Sequence, residues 1–307
     1  MMRTTAMAEK DTTGFGHGKV ILLGEHAVVY GHPALAAGIR AGVRAHVSPG
    51  SGNLSAPGWE LDVGIGDDSL PGQAVHNLCA ALRVDGRALD IWLESEIPAR
   101  AGLGSSAAMA VAVARAVGAR ADTSEADILA AATAAEMVFH RMPSGIDAAA
   151  ARRGRLGTFT KQGGWTDVPL PKSFEVCIGI SGEPHDTGAL VSGVATLRAI
   201  TPVADRLIHA MGELALAGTE ALAKGDIPAL ARLFGMAHGL LAGVGVSTPV
   251  LDDMVHTARA AGALGAKLTG AGGGGAVIAI AGDRADEVLR KWRGKGYYGF
   301  VTTVGHD

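Results

Sequence analysis

Hydrophobic and polar positions along the chain alternate between two periods. "KVILLGE" (Lys19–Glu25) is a short apolar run between glycines and predicts a buried strand. Residues 34–47 and 53–63 predict further strands around the turn "SPGSGN". A helical period covers 72–84, and strict alternation returns at 88–98, which predicts a strand. "AAMAVAVARAV" is apolar on nearly every face, the pattern of a helix buried all round. Residues 123–140 predict another helix, capped by Thr123 or Ser124 and ending before Pro143. "GRLGTFT" and "GGWTDVPL" pair as a hairpin.

A different rhythm starts near Pro171. "SFEVCIGISG" predicts a strand, followed by helices at about 186–197, 201–223, 226–242 and 248–262. "AKLT", a glycine run, "AVIAIAG", a helix at 283–293 and "YYGFVTTV" complete the chain. Strands mixed with long helices imply an α+β architecture. The expected organisation is a disordered tail at 1–13, an N-terminal domain at 14–170 and a C-terminal domain at 171–307.

Composition narrows the function classes. The 307 residues suffice for a large core, and a net charge of −3 without basic clusters argues against nucleic acid. No apolar run is long enough for a membrane span, because Arg115 interrupts the nearest candidate. The N-terminus lacks a signal-peptide core, and Cys79 and Cys177 form no CxxC. These features predict a cytoplasmic protein with two buried free thiols. The 45 glycines are about twice ordinary usage and are clustered.

Three glycine clusters could hold phosphate. "GFGHGKV" fails as a Walker A loop, since Thr13 and Val20 stand where Gly and Ser or Thr are required. "AGLGSSA" (Ala101, Gly102, Leu103, Gly104, Ser105, Ser106, Ala107) contains GxGxxA, with Asp122 at a dinucleotide-like distance. The sequence around Asp122 is helical, however, so the second strand of a dinucleotide fold is missing. Two readings remain: a serine-capped core helix, or a helix N-terminus offering N–H groups to an anion with Ser105 and Ser106 close by. "TGAGGGGA" (269–276) costs much backbone entropy, which points to close packing against another loop or a ligand.

Several charged residues sit in apolar surroundings. Glu136 lies in "LAAATAAEMVF" and is either a half-solvated face residue or a Mg²⁺ ligand. Asp147 in "PSGIDAAAARR" forms a capping-box-like pair with Ser144, or accepts a hydroxyl proton. A weak base suits phosphoryl transfer, where positioning and electrostatics dominate. Lys19 must snorkel or be paired, and His26 could be a core histidine.

Together, "GKVILLGEHAVVYGHPALA" (18–36), "ARAGLGSSAAMAVAVA" (99–114) and "KLTGAGGGGAV" (267–277) resemble the three signature motifs of the GHMP kinase superfamily, in order. "GEHAVVYG", "PSGID" and the eleven-residue step from Glu136 to Asp147 are most similar to its mevalonate kinase branch. The resemblance implies a domain like the second domain of ribosomal protein S5, followed by a ferredoxin-like domain. It implies ATP and Mg²⁺ as cofactors, with the triphosphate on residues 101–107 and the metal on Ser106 and Glu136. Asp147 would take or orient the acceptor hydroxyl proton, and Lys19 would stabilise the alkoxide. Glu25, His26 and Thr187 would line the mevalonate pocket, with Gly270, Ala271 and Gly272 on the supporting loop. The small-molecule substrate would be phosphorylated at its C5 hydroxyl; another small hydroxyl acceptor is the alternative, and a homodimer stays open. The chain departs from the family pattern at Ala148, at Gly188 after Asp186, and at Gly235, which lowers positive charge near the expected acceptor end.

Overall fold

The computed structural model describes residues 11–121, 123–139, 145–184 and 186–304. Asp122, Pro143 and Ser144, named above for a ribose contact, a helix stop and a capping box, lie outside the described residues. The chain forms two compact units that interleave in sequence. One takes the residues up to Gly18, Ala41–Ala99 and Gly104–Arg153; the other takes Lys19–Arg40, Arg100–Leu103 and everything from Gly154 on. This division differs from a single boundary near 170, because the long strands β1 (Thr12–Leu23) and β2 (Ala34–Pro49) each give one half to each unit. β1 begins at Thr12, inside the segment expected as tail.

In the first unit, β3 (Asn53–Ala56) and β4 (Leu61–Gly64) form an antiparallel pair. One strand had been expected over 53–63. The chain instead turns through a 3-10 helix at Pro57–Trp59, with Glu60 at a φ of 53°. β5 (Leu89–Ser95) lies between β3 and β2, parallel to the former and antiparallel to the latter. The helices are α1 (Leu70–Ala81), α2 (Ser105–Gly118), α3 (Glu125–Phe139) and α4 (Ile146–Arg153). α2 is buried along almost its whole length, as its all-round apolar pattern requires. α3 starts where expected: Ser124 Oγ accepts from the Asp127 N–H at 3.3 Å.

"GFGHG" finds its structural reason here. The first half of β1 lies directly on the backbone of α2. A methyl group at Gly14 would stand 2.2 Å from the Ala112 carbonyl oxygen, and one at Gly16 would stand 2.1 Å from that of Ala108. These glycines serve packing.

In the second unit, β8 (Phe174–Ile180), β9 (Gly265–Thr269), β10 (Ala276–Ile280) and β11 (Tyr298–Val304) form an antiparallel sheet in the order β11-β8-β10-β9. Helices α5 (Thr187–Ile200), α6 (Pro202–Ala223), α7 (Ile227–Gly243) and α8 (Pro249–Ala260) connect β8 to β9, and α9 (Ala285–Gly294) connects β10 to β11. This is the split βαβ order of a ferredoxin-like domain, with four helices in place of the first. β6 (Leu156–Thr160) and β7 (Gly164–Asp167) form the expected hairpin, whose first strand pairs with β2. Asp186, Thr201, Asp226 and Thr248 cap α5 to α8, and α6 to α8 carry proline in the first turn. Trp292, fully buried, donates its indole N–H to the Met254 carbonyl and anchors the core.

Cys79 and Cys177 are free and buried, and burial pushes their thiols up to about 12 and about 11. Neither is a poised nucleophile. Among the described residues no helix is long and apolar enough to cross a membrane.

Replacing Gly16 by Ala forces β1 off α2 and should cost about 1–3 kcal/mol. Urea unfolding checks this; an unchanged midpoint would show that the strand and helix do not meet as described.

Candidate active site

In the first unit, three helices carry the predicted residues. α2 begins after Gly104, whose φ of 71° makes it the N-cap, and among the described residues no side-chain hydrogen bond caps the helix. The serine cap expected for this helix is therefore corrected: Ser105 and Ser106 are its first two helical residues. Gly104 accepts the first helical bond, from the Ala108 N–H at 2.9 Å. With no capping side chain in the way, the first-turn N–H groups and the positive end of the dipole suit an anion. The Ser106 hydroxyl, half-buried, stands in that turn.

Glu136 is 2% exposed in α3, which excludes the solvated-face reading. A carboxylate so buried needs compensation by a charge, a metal or hydrogen bonds. Asp147 is half-buried in the first turn of α4, where the helix dipole favours negative charge. α4 is held at its other end by Arg115, the residue that interrupts the apolar run of α2. Arg115 of α2 donates to the Arg152 carbonyl at 2.8 Å and to the Phe15 carbonyl at 2.7 Å. One guanidinium thus ties the helix of Asp147 to α2 and β1.

In the second unit, Lys19 is buried at 5% exposure, and its backbone N–H donates to the Leu103 carbonyl at 2.9 Å. β1 thereby supports the start of "AGLGSSA". Past Gly24 the strand bends sharply. Glu25 is buried and receives the ammonium of Lys267, a residue of β9 with no exposed surface. Lys267 also donates to its neighbouring Leu268 carbonyl at 2.6 Å. Burial pulls the ammonium below its ordinary value, against the opposing pull of Glu25.

His26 is buried with a φ of 54°. Its Nε2 lies 2.8 Å from the Ala271 carbonyl oxygen. A carbonyl only accepts, so Nε2 carries the proton. Burial lowers the His26 pKa, while Ala271 and Glu25 oppose the shift. The neutral ring leaves Nδ1 as an acceptor, buried and with no partner among the described residues.

The glycine loop after β9 packs on other backbone, as its composition predicted. Gly270, Gly272, Gly273, Gly274 and Gly275 all have positive φ. A methyl at Gly272 would lie 2.1 Å from the Val246 carbonyl oxygen, and one at Gly274 would lie 2.7 Å from that of Glu183. The Gly273 N–H donates to Val246 at 2.8 Å. A methyl at Gly270 would touch the Gly102 carbonyl at 3.7 Å, so this loop and the start of "AGLGSSA" are neighbours. Thr187 is exposed at the start of α5. Asp186, a departure from the family pattern, is that helix's cap: its carboxylate accepts from the Ala189 N–H at 3.1 Å. Among the described residues, no three His, Cys, Asp or Glu side chains gather as a metal site.

The "GHMP kinases N terminal domain" model matches residues 69–155, from α1 to the end of α4. The "GHMP kinases C terminal" model matches 219–298, including the glycine loop. The mevalonate kinase of Pyrococcus horikoshii is 35% identical over 320 aligned residues, with 94% of each chain covered. The chain belongs to the GHMP kinase family. A second family member, the mevalonate kinase of Methanothermobacter thermautotrophicus, is 33% identical, covering 90% of this chain and 93% of its own. Among solved structures, L. major mevalonate kinase in complex with R-mevalonate superposes with a TM-score of 0.88 at 28% identity, covering 99% of each chain. Lactococcus lactis galactokinase shares the family fold at a TM-score of 0.78 and 18% identity.

Gly272→Ala combines a positive φ with a backbone collision and should destabilise the protein by about 2–4 kcal/mol. Thermal unfolding reads this directly, and an unchanged Tm would refute the described loop packing.

Proposed function

We infer that the protein is an ATP-dependent kinase that phosphorylates the C5 hydroxyl of mevalonate, giving 5-phosphomevalonate and ADP. The observation that carries this is identity of 35% to a mevalonate kinase across 94% of both chains. The 0.88 superposition on a mevalonate-bound relative supports the same substrate. The reading places the reaction in the cytoplasm, in keeping with two free, unreactive thiols.

ATP supplies the phosphoryl group, and Mg²⁺ supplies positive charge against the triphosphate. The donor set fits a hard cation that keeps most of its ligands from water and phosphate: one buried carboxylate, Glu136, and one hydroxyl, Ser106, both oxygen. The uncapped first turn of α2 and the glycines before it bind the phosphates through backbone N–H groups. Asp147 accepts the C5 hydroxyl proton as the oxygen attacks the γ-phosphorus and the bond to the ADP oxygen breaks. Its place in the first turn of α4 fixes where the carboxylate stands, and positioning and charge dominate in this kind of transfer. Lys19 stabilises the alkoxide as it forms. His26 offers a neutral acceptor nitrogen to a hydroxyl of mevalonate, Thr187 completes the acceptor end, and Glu25 lines it through its place beside His26.

Purified protein with ATP, Mg²⁺ and a panel of mevalonate, phosphomevalonate, galactose and homoserine should release ADP with mevalonate alone. ADP release only with another acceptor would overturn the assignment. Asp147→Asn should lower kcat by about 10²–10⁴-fold while ATP still binds; near-normal turnover would reduce Asp147 to a helix-terminal residue. Glu136→Gln should raise the Mg²⁺ concentration needed for half-maximal rate, and an unchanged requirement would remove it from the metal site.

A further inference from the structure

The first and third signature motifs are joined at three places: by the side chains of Lys267 and Thr269 on β9, and by the main-chain carbonyl of Ala271 in the loop that follows. Lys267 reaches Glu25. Thr269 Oγ1 accepts from the Ile21 N–H at 3.0 Å and donates to the Ile21 carbonyl at 2.9 Å. The Ala271 carbonyl receives His26 at 2.8 Å. Lys267 and Thr269 alternate on one face of β9, which thus meets the last part of β1 and the turn after it, and the loop past Gly270 adds the Ala271 carbonyl. Thr269 and Ala271 make neutral contacts. Lys267 does not: it brings a charge into a site with no exposed surface, 5.7 Å from the centre of the Phe234 ring.

A buried pair of this kind is a poor device for stability alone, because apolar side chains of similar volume serve as well or better. Its position gives it another use. Glu25 immediately precedes His26, whose backbone sits at a φ of 54° and whose ring is aimed by Ala271. Glu25 and Ala271 are therefore the two fixed points on either side of the His26 ring's orientation. Lys267 holds the first directly and stands four residues before the second on the same strand and loop.

We propose that Lys267 is a positioning residue for phosphoryl transfer, acting through Glu25 to hold His26 and the glycine loop in the register that receives the acceptor. The proposal rests on the acceptor role of His26 given above. It also assigns the Glu25 carboxylate to Lys267 and leaves the hydrogen bond to the acceptor hydroxyl to His26 Nδ1, the buried nitrogen that has no partner among the described residues.

The test is a double-mutant cycle of Lys267→Met, Glu25→Met and the double variant, read by Tm, by the KM values for mevalonate and ATP, and by the ¹⁵N shifts of the His26 ring. Either single change leaves a buried charge alone and can prevent folding. The double variant removes both charges and should melt near the wild-type temperature. It should nevertheless show a KM for mevalonate raised about 10- to 100-fold, with the KM for ATP nearly unchanged. Its His26 should lose the single Nε2–H tautomer of the wild type. Where the single variants fold, their effects on kcat/KM should not multiply in the double variant. A double variant with wild-type KM and wild-type imidazole shifts would show that Lys267 only neutralises Glu25. Single effects that multiply would show that Glu25 meets the acceptor on its own. If the wild-type protein turned over no acceptor, the functional reading would fail, and the imidazole shifts would still decide the positioning role.

Discussion

Backbone lying on backbone, with no side chain between, is the constraint from which the rest of this structure follows. The first half of β1 rests on α2 because Gly14 and Gly16 leave room for the carbonyls of Ala112 and Ala108. The loop after β9 rests on Val246 and Glu183 because glycines occupy every crowded position. Gly104 starts α2 in a left-handed conformation and leaves the first turn without a capping side chain. Each contact costs conformational entropy in the unfolded chain. In return, the main chain at each of these places is left bare of side chains. The excess of glycine is thus one physical solution used at several places.

Against this bare backbone, the few charged side chains in apolar surroundings are each committed. Arg115 closes the C-terminal end of the helix that carries Asp147. Lys267 neutralises Glu25, and His26 is held neutral by burial. Glu136 and Lys19 are likewise buried, at 2% and 5% exposure. These groups give the chemistry fixed directions, since a buried ion with hydrogen-bonded partners has little freedom to rotate.

Much of this was legible in the residues. The elements from β5 to β11 follow hydrophobic period, and the caps Asp186, Thr201, Asp226 and Thr248 followed by small or proline residues mark the helix starts. The all-round apolar α2 announced its own burial. The first half of β1 was hidden because glycine replaces the apolar residues that periodicity needs, whereas the turn between β3 and β4 was marked by the Pro57-Gly58 pair, and a single strand over 53–63 passed over that signal. At the candidate site, the glycine clusters and Glu136 stood out by cost. The Ser105 cap was misread because serine before an apolar run is an ordinary cap signal, and only the φ of Gly104 decides the matter. Arg115 and Lys267 were not legible as site residues. Their partners are main-chain carbonyls and a carboxylate 242 positions away, and no local pattern records either.

The fold and the likeness to mevalonate kinases along almost the whole chain point to transfer of a phosphoryl group to a primary alcohol. Mevalonate carries a primary hydroxyl at C5 and a tertiary one at C3, so the position of the new bond is the most direct test. Phosphorus–proton correlation spectroscopy of the product made from ATP, Mg²⁺ and R-mevalonate should show the new phosphorus coupled to the C5 methylene protons. A phosphorylated product without that coupling, or no phosphorylated product, would contradict the account.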